Sequence, residues 1–356
     1  MSTLINVEGK LLTPKRPWSQ KSARKILIGI TPALIPFLVA SIIVKSSGLD
    51  GKAGFFLGWV LTSVLVVLIW PIIIRNSNTR GDLFLQNCIA LASVIFISAV
   101  TWLLASVLTP ALKAFQFSLL TNDATTVGVD TPLNEGGLLH ALLGTLVIVG
   151  LATAISVPFG ILAALYITEV RGRLVPYTRF FIQAMSGVPS IVAGLFIYAA
   201  LIVTKVIPFT GFAGSLALAI LMLPTVARTA EEVLRLVPDE LRSAALALGG
   251  TQLRTVLLVV LPSAKSGLIT AVILGVARVA GETAPLLLTA FGNNSTNLNP
   301  FSGSMATLPW YIFTQMTLGT DNDVARAWVA GFTLLMLVSV FFVGARILGR
   351  KGPGRG

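Results

Sequence analysis

An all-α polytopic membrane protein is the fold class this sequence predicts. Three observations predict it: scarce charge, recurrent apolar runs near twenty residues long, and a sided distribution of Lys and Arg. Of 356 residues, 55% are hydrophobic and only 11% charged, whereas a soluble domain is roughly a quarter charged. Apolar surface on that scale has to meet lipid. A helix rises about 1.5 Å per residue and the hydrocarbon core is about 30 Å thick, so a span needs about 20 mostly apolar residues. About eight transmembrane helices are expected on that test. They run over Ile26 to Val44, Ala53 to Ile74, Cys88 to Thr109, Leu138 to Thr168, Phe180 to Thr204, Gly211 to Ala227, Gly267 to Phe291 and Ala327 to Leu348. The sixth is short, and the fourth is long enough to tilt or to bend at Pro158.

The net charge of +12 would point to nucleic acid in a soluble protein, so its placement decides its meaning. With the N-terminus inside and sides alternating, Lys45, Lys52, Lys113, Lys205 and Arg326 fall outside, Arg278 falls within a span, and every other Lys and Arg falls inside. That is the positive-inside bias of a membrane protein with both termini cytoplasmic, and no nucleic-acid partner is needed to explain it. Cys88 is the only cysteine, which excludes an intrachain disulfide and a thiolate metal cluster. His140, the only histidine, has no acidic or cysteine cluster beside it in sequence and is expected at the outer interface. No G-x-x-x-x-G-K-[ST] loop occurs, so the chain is expected to be no enzyme and to carry no cofactor; any ATP hydrolysis belongs to another subunit.

Along the chain, residues 1–25 read as a basic cytoplasmic tail touching anionic membrane lipid, 26–109 as N-terminal transmembrane helices, 110–137 as an extracytoplasmic loop, and 349–356 as a second cytoplasmic tail. Gly54 and Gly58 in the second span allow close helix packing. The two longer outside loops, Pro110 to Gly137 and Gly292 to Arg326, are polar and expected either to be solvated or to receive an external partner.

The inside segment 228–266 has helical pattern rather than linker composition. Pro238, Asp239 and Glu240 suit a first turn, where proline fits and acidic groups meet the positive end of the dipole; Gly249 and Gly250 suit the end. A second helix is expected from Thr251 to Pro262. The short helix between, with exposed leucines, is a liability unless a partner covers it, so it reads as a docking element.

In that segment Ser243-Ala-Ala-Leu-Ala-Leu-Gly249 is followed after nine residues by Val259-Val-Leu-Pro262. This resembles the EAA loop of ABC importer permeases, with Ser243 in place of the glutamate and Val259 in place of the isoleucine. Glu240, one turn earlier, is positioned to substitute for the missing acid. Ser186 to Gly194 (SGVPSIVAG), Ala227 to Pro238 (ARTAEEVLRLVP) and Ala277 to Leu286 (ARVAGETAPL) narrow the likeness to permeases of phosphate ABC importers, of the PstA type. The resemblance implies a type I importer transmembrane domain over 138–348, preceded by extra N-terminal spans, in a bacterial inner membrane. It further implies ATPase coupling through Glu240, Leu241, Ser243, Ala244, Ala245, Leu248 and Gly249. The implied partners are a second permease of the PstC type, two copies of a PstB-type ATPase, a PstS-type external binding protein and inorganic phosphate.

Arg278 and Glu282 lie four apart in the seventh span and share one face of an uninterrupted helix. Arg278 stands about eleven residues, about 17 Å, from the start of that span, near the midplane, where each charge costs about 2.5–3.5 kcal/mol. Two readings stand: a self-satisfying pair that fixes packing, or a pathway lining in which Arg278 attracts the oxyanion and Glu282 holds or releases it. The resemblance favours the second and adds Arg228, otherwise an ordinary cation at the inner end of a span. The remaining alternatives are an importer for another oxyanion and an ion-coupled secondary transporter with Glu282 as its proton site.

Overall fold

The computed structural model describes residues 35–42, 44, 52–73, 80–170 and 172–349, so the N-terminal tail and most of the first expected span lie outside the described residues. The chain divides into two compact units, Met1–Ala105 and Ser106–Gly356. Secondary structure among the described residues is helical, with one isolated bridge between Phe291 and Met305.

In the first unit a helical stretch over 35–42 precedes α1 (Lys52–Ile73). The Thr62 hydroxyl donates to the Pro36 carbonyl at 3.1 Å, and Phe37 meets Phe55 edge-on at 5.2 Å. A Cβ on Gly58 would sit 3.4 Å from Val44, so that glycine does mark a close helix crossing. Most of α2 (Arg80–Ala114) follows in the same unit.

The second unit carries α3 (Ser118–Thr121), α4 (Leu139–Leu165) extended by a π-turn over Tyr166–Val170, α5 (Val175–Ser186), α6 (Ser190–Ile197) with a π-turn over Tyr198–Ile202, and α7 (Gly211–Arg235). Then come α8 (Asp239–Ala247), α9 (Gln252–Thr255), a π-turn over Val256–Val260, α10 (Leu261–Ala280), α11 (Ala284–Thr289), α12 (Leu308–Leu318) and α13 (Asp321–Gly349). Among the described residues five helices are long and apolar enough to cross a membrane, or six when the bent pair α5–α6 counts as one.

The centre is α7. Small residues over its first half, Gly211, Ala213, Gly214, Ser215, Ala217 and Ala219, are all buried, because only small side chains let neighbouring backbones come this close. Against it runs α4: Ser156 donates to the Ala219 carbonyl at 3.2 Å, and a Cβ on Gly160 would meet Val226 at 3.0 Å. Ile148, Leu218, Leu221, Met222, Val226, Val279 and Leu286 close the core around them.

Four expectations are corrected by this architecture. The short sixth span is a full 25-residue helix, because Arg228 and its neighbours continue the helical pattern beyond the apolar run. The fifth span is broken by a 103° bend between α5 and α6: Pro189 has no N–H to give a helix and takes an extended φ, ψ of −60°, 140°. The helix expected from Thr251 to Pro262 does not stop at the proline but runs on through the π-turn and α10, so that Gln252–Ala280 is one 29-residue span. It then breaks at Gly281, and α11 is a separate short helix.

The helices that follow the two breaks, α6 and α11, meet at Gly194, whose Cβ position lies 2.5 Å from the Pro285 Cα. Any side chain there forces α6 and α11 apart, and overpacking of this kind costs about 1–3 kcal/mol. Gly194→Ala is therefore expected to lower the thermal unfolding midpoint of the purified chain in detergent by several degrees; an unchanged midpoint would show that the crossing yields without cost.

The polar loops are not simply solvated. Leu308–Leu318 forms an 11-residue helix whose first N–H is taken by the buried Thr145 hydroxyl at 2.8 Å. Arg326, expected among solvated outside cations, is fully buried with Asp323, and its Nη2 donates to the carbonyls of Thr131, Pro132 and Glu135. His140, the second residue of α4, is likewise buried, edge-on to Tyr311 at 5.3 Å. Truncating Arg326 removes the one guanidinium nitrogen that gathers the carbonyls of Thr131, Pro132 and Glu135, and it empties a fully buried side-chain site. Arg326→Ala is expected to expose the 122–138 loop to limited proteolysis at least tenfold faster than the parent chain; equal cleavage rates would dismiss the latch.

Candidate functional site

Arg278 occupies the last turn of α10. Its side chain is exposed on this chain and its Nη1 donates to the Thr225 hydroxyl of α7 at 2.8 Å. At 1.5 Å per residue Thr225 stands about 21 Å from the Gly211 end of α7 and about 15 Å from the Arg235 end. Arg278 therefore reaches mid-depth of the central helix, although the span that carries it starts fifteen residues earlier than the apolar run suggests.

Glu282 is not on the same helix face. Helix α10 ends at Ala280, Gly281 caps it, and the Glu282 N–H closes a turn onto the Val279 carbonyl at 3.2 Å. The carboxylate is half-buried, and among the described residues it makes no ion pair with Arg278. The spacing of four fails as a contact because the helix stops at Gly281, between the two residues, and restarts only at Ala284. The self-satisfying pair is thereby set aside, and Arg278 is the exposed charge rather than a buried one.

Arg228 lies one turn from Thr225 on α7, exposed, and is not the end of the span. With Arg179, Ile182, Gln183, Glu231, Glu232 and Arg235 it lines a cleft of about 330 Å³ between α5 and α7. There Glu231 accepts from Arg179 at 3.0 Å and from Arg235 one turn on. Arg179 is thus fixed by a carboxylate, a partner that its place beside a span end does not disclose.

At the same end stands α8. Pro238 is its N-cap, with Asp239 and Glu240 in the first turn; Gly249 closes it at φ +81°, with its own N–H on Leu246 and the Gly250 N–H on Ala245. Only glycine takes that left-handed conformation freely. Leu241, Leu246 and Leu248 are exposed, Leu248 by 90%, and Ser243, Ala244 and Glu240 are exposed beside them while Ala245 is half-buried. Among the described residues Glu240 has no ion-pair partner.

What pattern reading missed is how α8 is held. Arg242, nearly buried, pairs with Glu169 in the π-turn after α4 at 2.8 Å. It also donates to the carbonyls of Leu234 and Val237 and to the Asp239 carboxylate. The Glu169 bonds push the Arg242 guanidinium above its ordinary range. In sequence Glu169 and Arg179 look alike, charges beside span ends suited to headgroups; tertiary packing gives each a partner far along the chain. Among the described residues no group of three His, Cys, Asp or Glu is placed to hold a metal ion.

Residues 156–351 match the family of binding-protein-dependent transport system inner membrane components. The chain belongs to that family. Among relatives of this inner membrane component, the phosphate transport system permease protein PstA 1 of Mycobacterium tuberculosis is 43% identical over 214 residues, 60% of this chain and 70% of that protein. The phosphate transport system permease protein PstA of Mycobacterium leprae is 40% identical over 280 residues, 78% of this chain and 90% of that one. A solved chain of the MetNI methionine ABC transporter, in inward-facing conformations, is 20% identical, with a TM-score of 0.48 over 60% of this chain and 93% of that chain. The chain is accordingly a multi-pass membrane component of a transport system.

Proposed function

We propose that this chain is one of two permease subunits of an ATP-driven phosphate importer in a bacterial inner membrane. The observation that carries the reading is Arg278: a guanidinium exposed at mid-depth of the central helix and held there by Thr225. Facing hydrocarbon it would cost about 2.5–3.5 kcal/mol, so this face belongs against a second permease or a wet pathway. Arg278, Thr225 and Arg228 then form a ladder of oxyanion donors, Glu282 borders it on the irregular backbone after α10, and the names of the relatives supply the cargo. Non-helical backbone at membrane depth is tolerated where it is buried in protein or lines a cavity, which agrees with Glu282 at the pathway's edge.

Energy comes from outside the chain. With both termini cytoplasmic, α8 presents Leu241, Leu246 and Leu248 to the cytoplasm, where two ATPase subunits dock beneath the permease pair; Glu240, Ser243, Ala244, Ala245 and Gly249 complete the contact. An external phosphate-binding protein delivers cargo to the opposite face, and the domain that does the transport spans 138–348. The test is reconstitution of the co-purified complex in vesicles with the binding protein outside. Uptake of phosphate that requires ATP inside and is not competed by sulfate supports the reading; purification of the chain alone, with no stoichiometric ATPase, refutes it.

A further inference from the structure

We infer that Arg242 and Glu169 form a rigid joint that makes α8 move as one body with α4 and α7, so that force received at the exposed leucines reaches the helix that holds Arg278. The inference rests on the reading of α8 as the ATPase-facing element and goes further by naming the residues that transmit its movement.

The geometry is that of a three-way clamp. The guanidinium Nε donates to both Glu169 oxygens, at 3.3 and 3.1 Å, and Nη2 to Glu169 Oε1 at 2.8 Å. Nη2 also reaches the Leu234 carbonyl at 3.0 Å, while Nη1 reaches the Val237 carbonyl and Asp239 Oδ1. One side chain thereby ties the π-turn after α4, the end of α7 and the first turn of α8. A second tie is independent of it: Gln252 Nε2 donates to the Glu169 carbonyl at 2.6 Å. The pair is shielded, with side-chain exposures of 14% and 7%, and shielded bidentate arginine pairs are directional as well as strong. A lysine has one point charge and cannot span three elements.

The docking face stays clear of the clamp. Leu241, Leu246 and Leu248 remain exposed, so a partner can push on α8 without competing for Arg242. From the clamp, the packing of α4 on α7 at Gly160 and Val226 leads to Thr225 and the Arg278 guanidinium. Loosening the joint should therefore separate hydrolysis from transport while leaving docking intact, which makes Arg242 and Glu169 positioning residues.

Two measurements decide it. In vesicles holding the assembled complex, Arg242→Ala and Glu169→Gln are each expected to retain the ATPase and its hydrolysis rate within about twofold, while phosphate moved per ATP falls at least tenfold. The double variant should be no worse than either single one, since both break one joint, and Arg242→Lys should not restore the ratio. A ratio within twofold of the parent overturns the inference, and so does loss of the ATPase itself, which would place Arg242 in the docking surface. The second measurement needs no cargo. In a Cys88→Ser background, spin labels at Leu162→Cys on α4 and Ala247→Cys on α8 should report one narrow distance with and without ATP, broadened by Arg242→Ala. A shift of about 5 Å, one helical turn, in the otherwise native chain overturns the joint. A parent complex that moves no phosphate would refute the transport reading alone, and the label distances would still judge the joint.

Discussion

Arg278→Ala is expected to lower ATP-dependent phosphate uptake about 100-fold or more while the complex assembles and hydrolyses ATP as before. The physical ground is that a charge-assisted hydrogen bond to an oxyanion contributes about 1.5–3 kcal/mol, more where water is excluded, and each 1.36 kcal/mol is a factor of ten in rate. Because the Arg278 side chain is exposed on this chain and, among the described residues, bonds to Thr225, its removal opens no large cavity and folding should survive. Arg278→Lys should recover part of the uptake, since it keeps the charge and loses the planar fork. Thr225→Val should have a smaller effect in the same direction, because it frees the guanidinium without deleting it. Uptake assays alongside gel filtration of the assembled complex provide the check; normal uptake by a fully assembled Arg278→Ala complex rules out the pathway role.

Leu248→Asp combined with Leu241→Asp is expected to strip the ATPase from the complex and abolish uptake. Leu248 is 90% exposed and packs on almost nothing within this chain, while Leu241 is 43% exposed and keeps part of its surface covered, so Asp at these two places should lower the melting temperature by no more than a few degrees, the loss coming from Leu241. In the assembly each leucine would be a buried anchor. Fully burying a leucine contributes about 1.5–3 kcal/mol, and a carboxylate carried into the same contact adds a desolvation penalty. Together they weaken association by several powers of ten. Co-purification of the ATPase, read from band stoichiometry, is the measurement. Retention of the ATPase by the double variant would mean that the partner docks elsewhere.

The legibility of this chain in its sequence follows physical lines. Helix caps and stops are local chemistry, so the boundaries of α8 came close from Pro238, Asp239, Glu240 and Gly249 alone: it runs Asp239–Ala247. Apolar runs found most spans because lipid imposes a length on them. They misplaced three boundaries, since apolarity marks where lipid is rather than where hydrogen bonding ends. Arg228 to Arg235 continues α7 in spite of its charges, Gln252 to Val260 continues into α10, and Gly281 stops α10 amid apolar residues. The same confusion joined Arg278 to Glu282, whose spacing of four makes a pair only on an unbroken helix.

By itself the sequence determined the class of the protein, the sidedness expected of its loops, the short helix α8 proposed as the docking element and the cation on which the proposed pathway depends. Each follows from composition, local caps or the free energy of charge in lipid, none of which needs a distant residue. Only the tertiary structure decided which charges are partnered. It paired Glu169 with Arg242, set Arg179 and Arg235 on Glu231, buried Arg326 among loop carbonyls, and left Arg278 exposed on the Thr225 hydroxyl. The reason is that ion pairing depends on approach within a few ångströms between segments separated by tens to hundreds of residues, and the packing of α4 on α7, made possible by small residues, sets those distances.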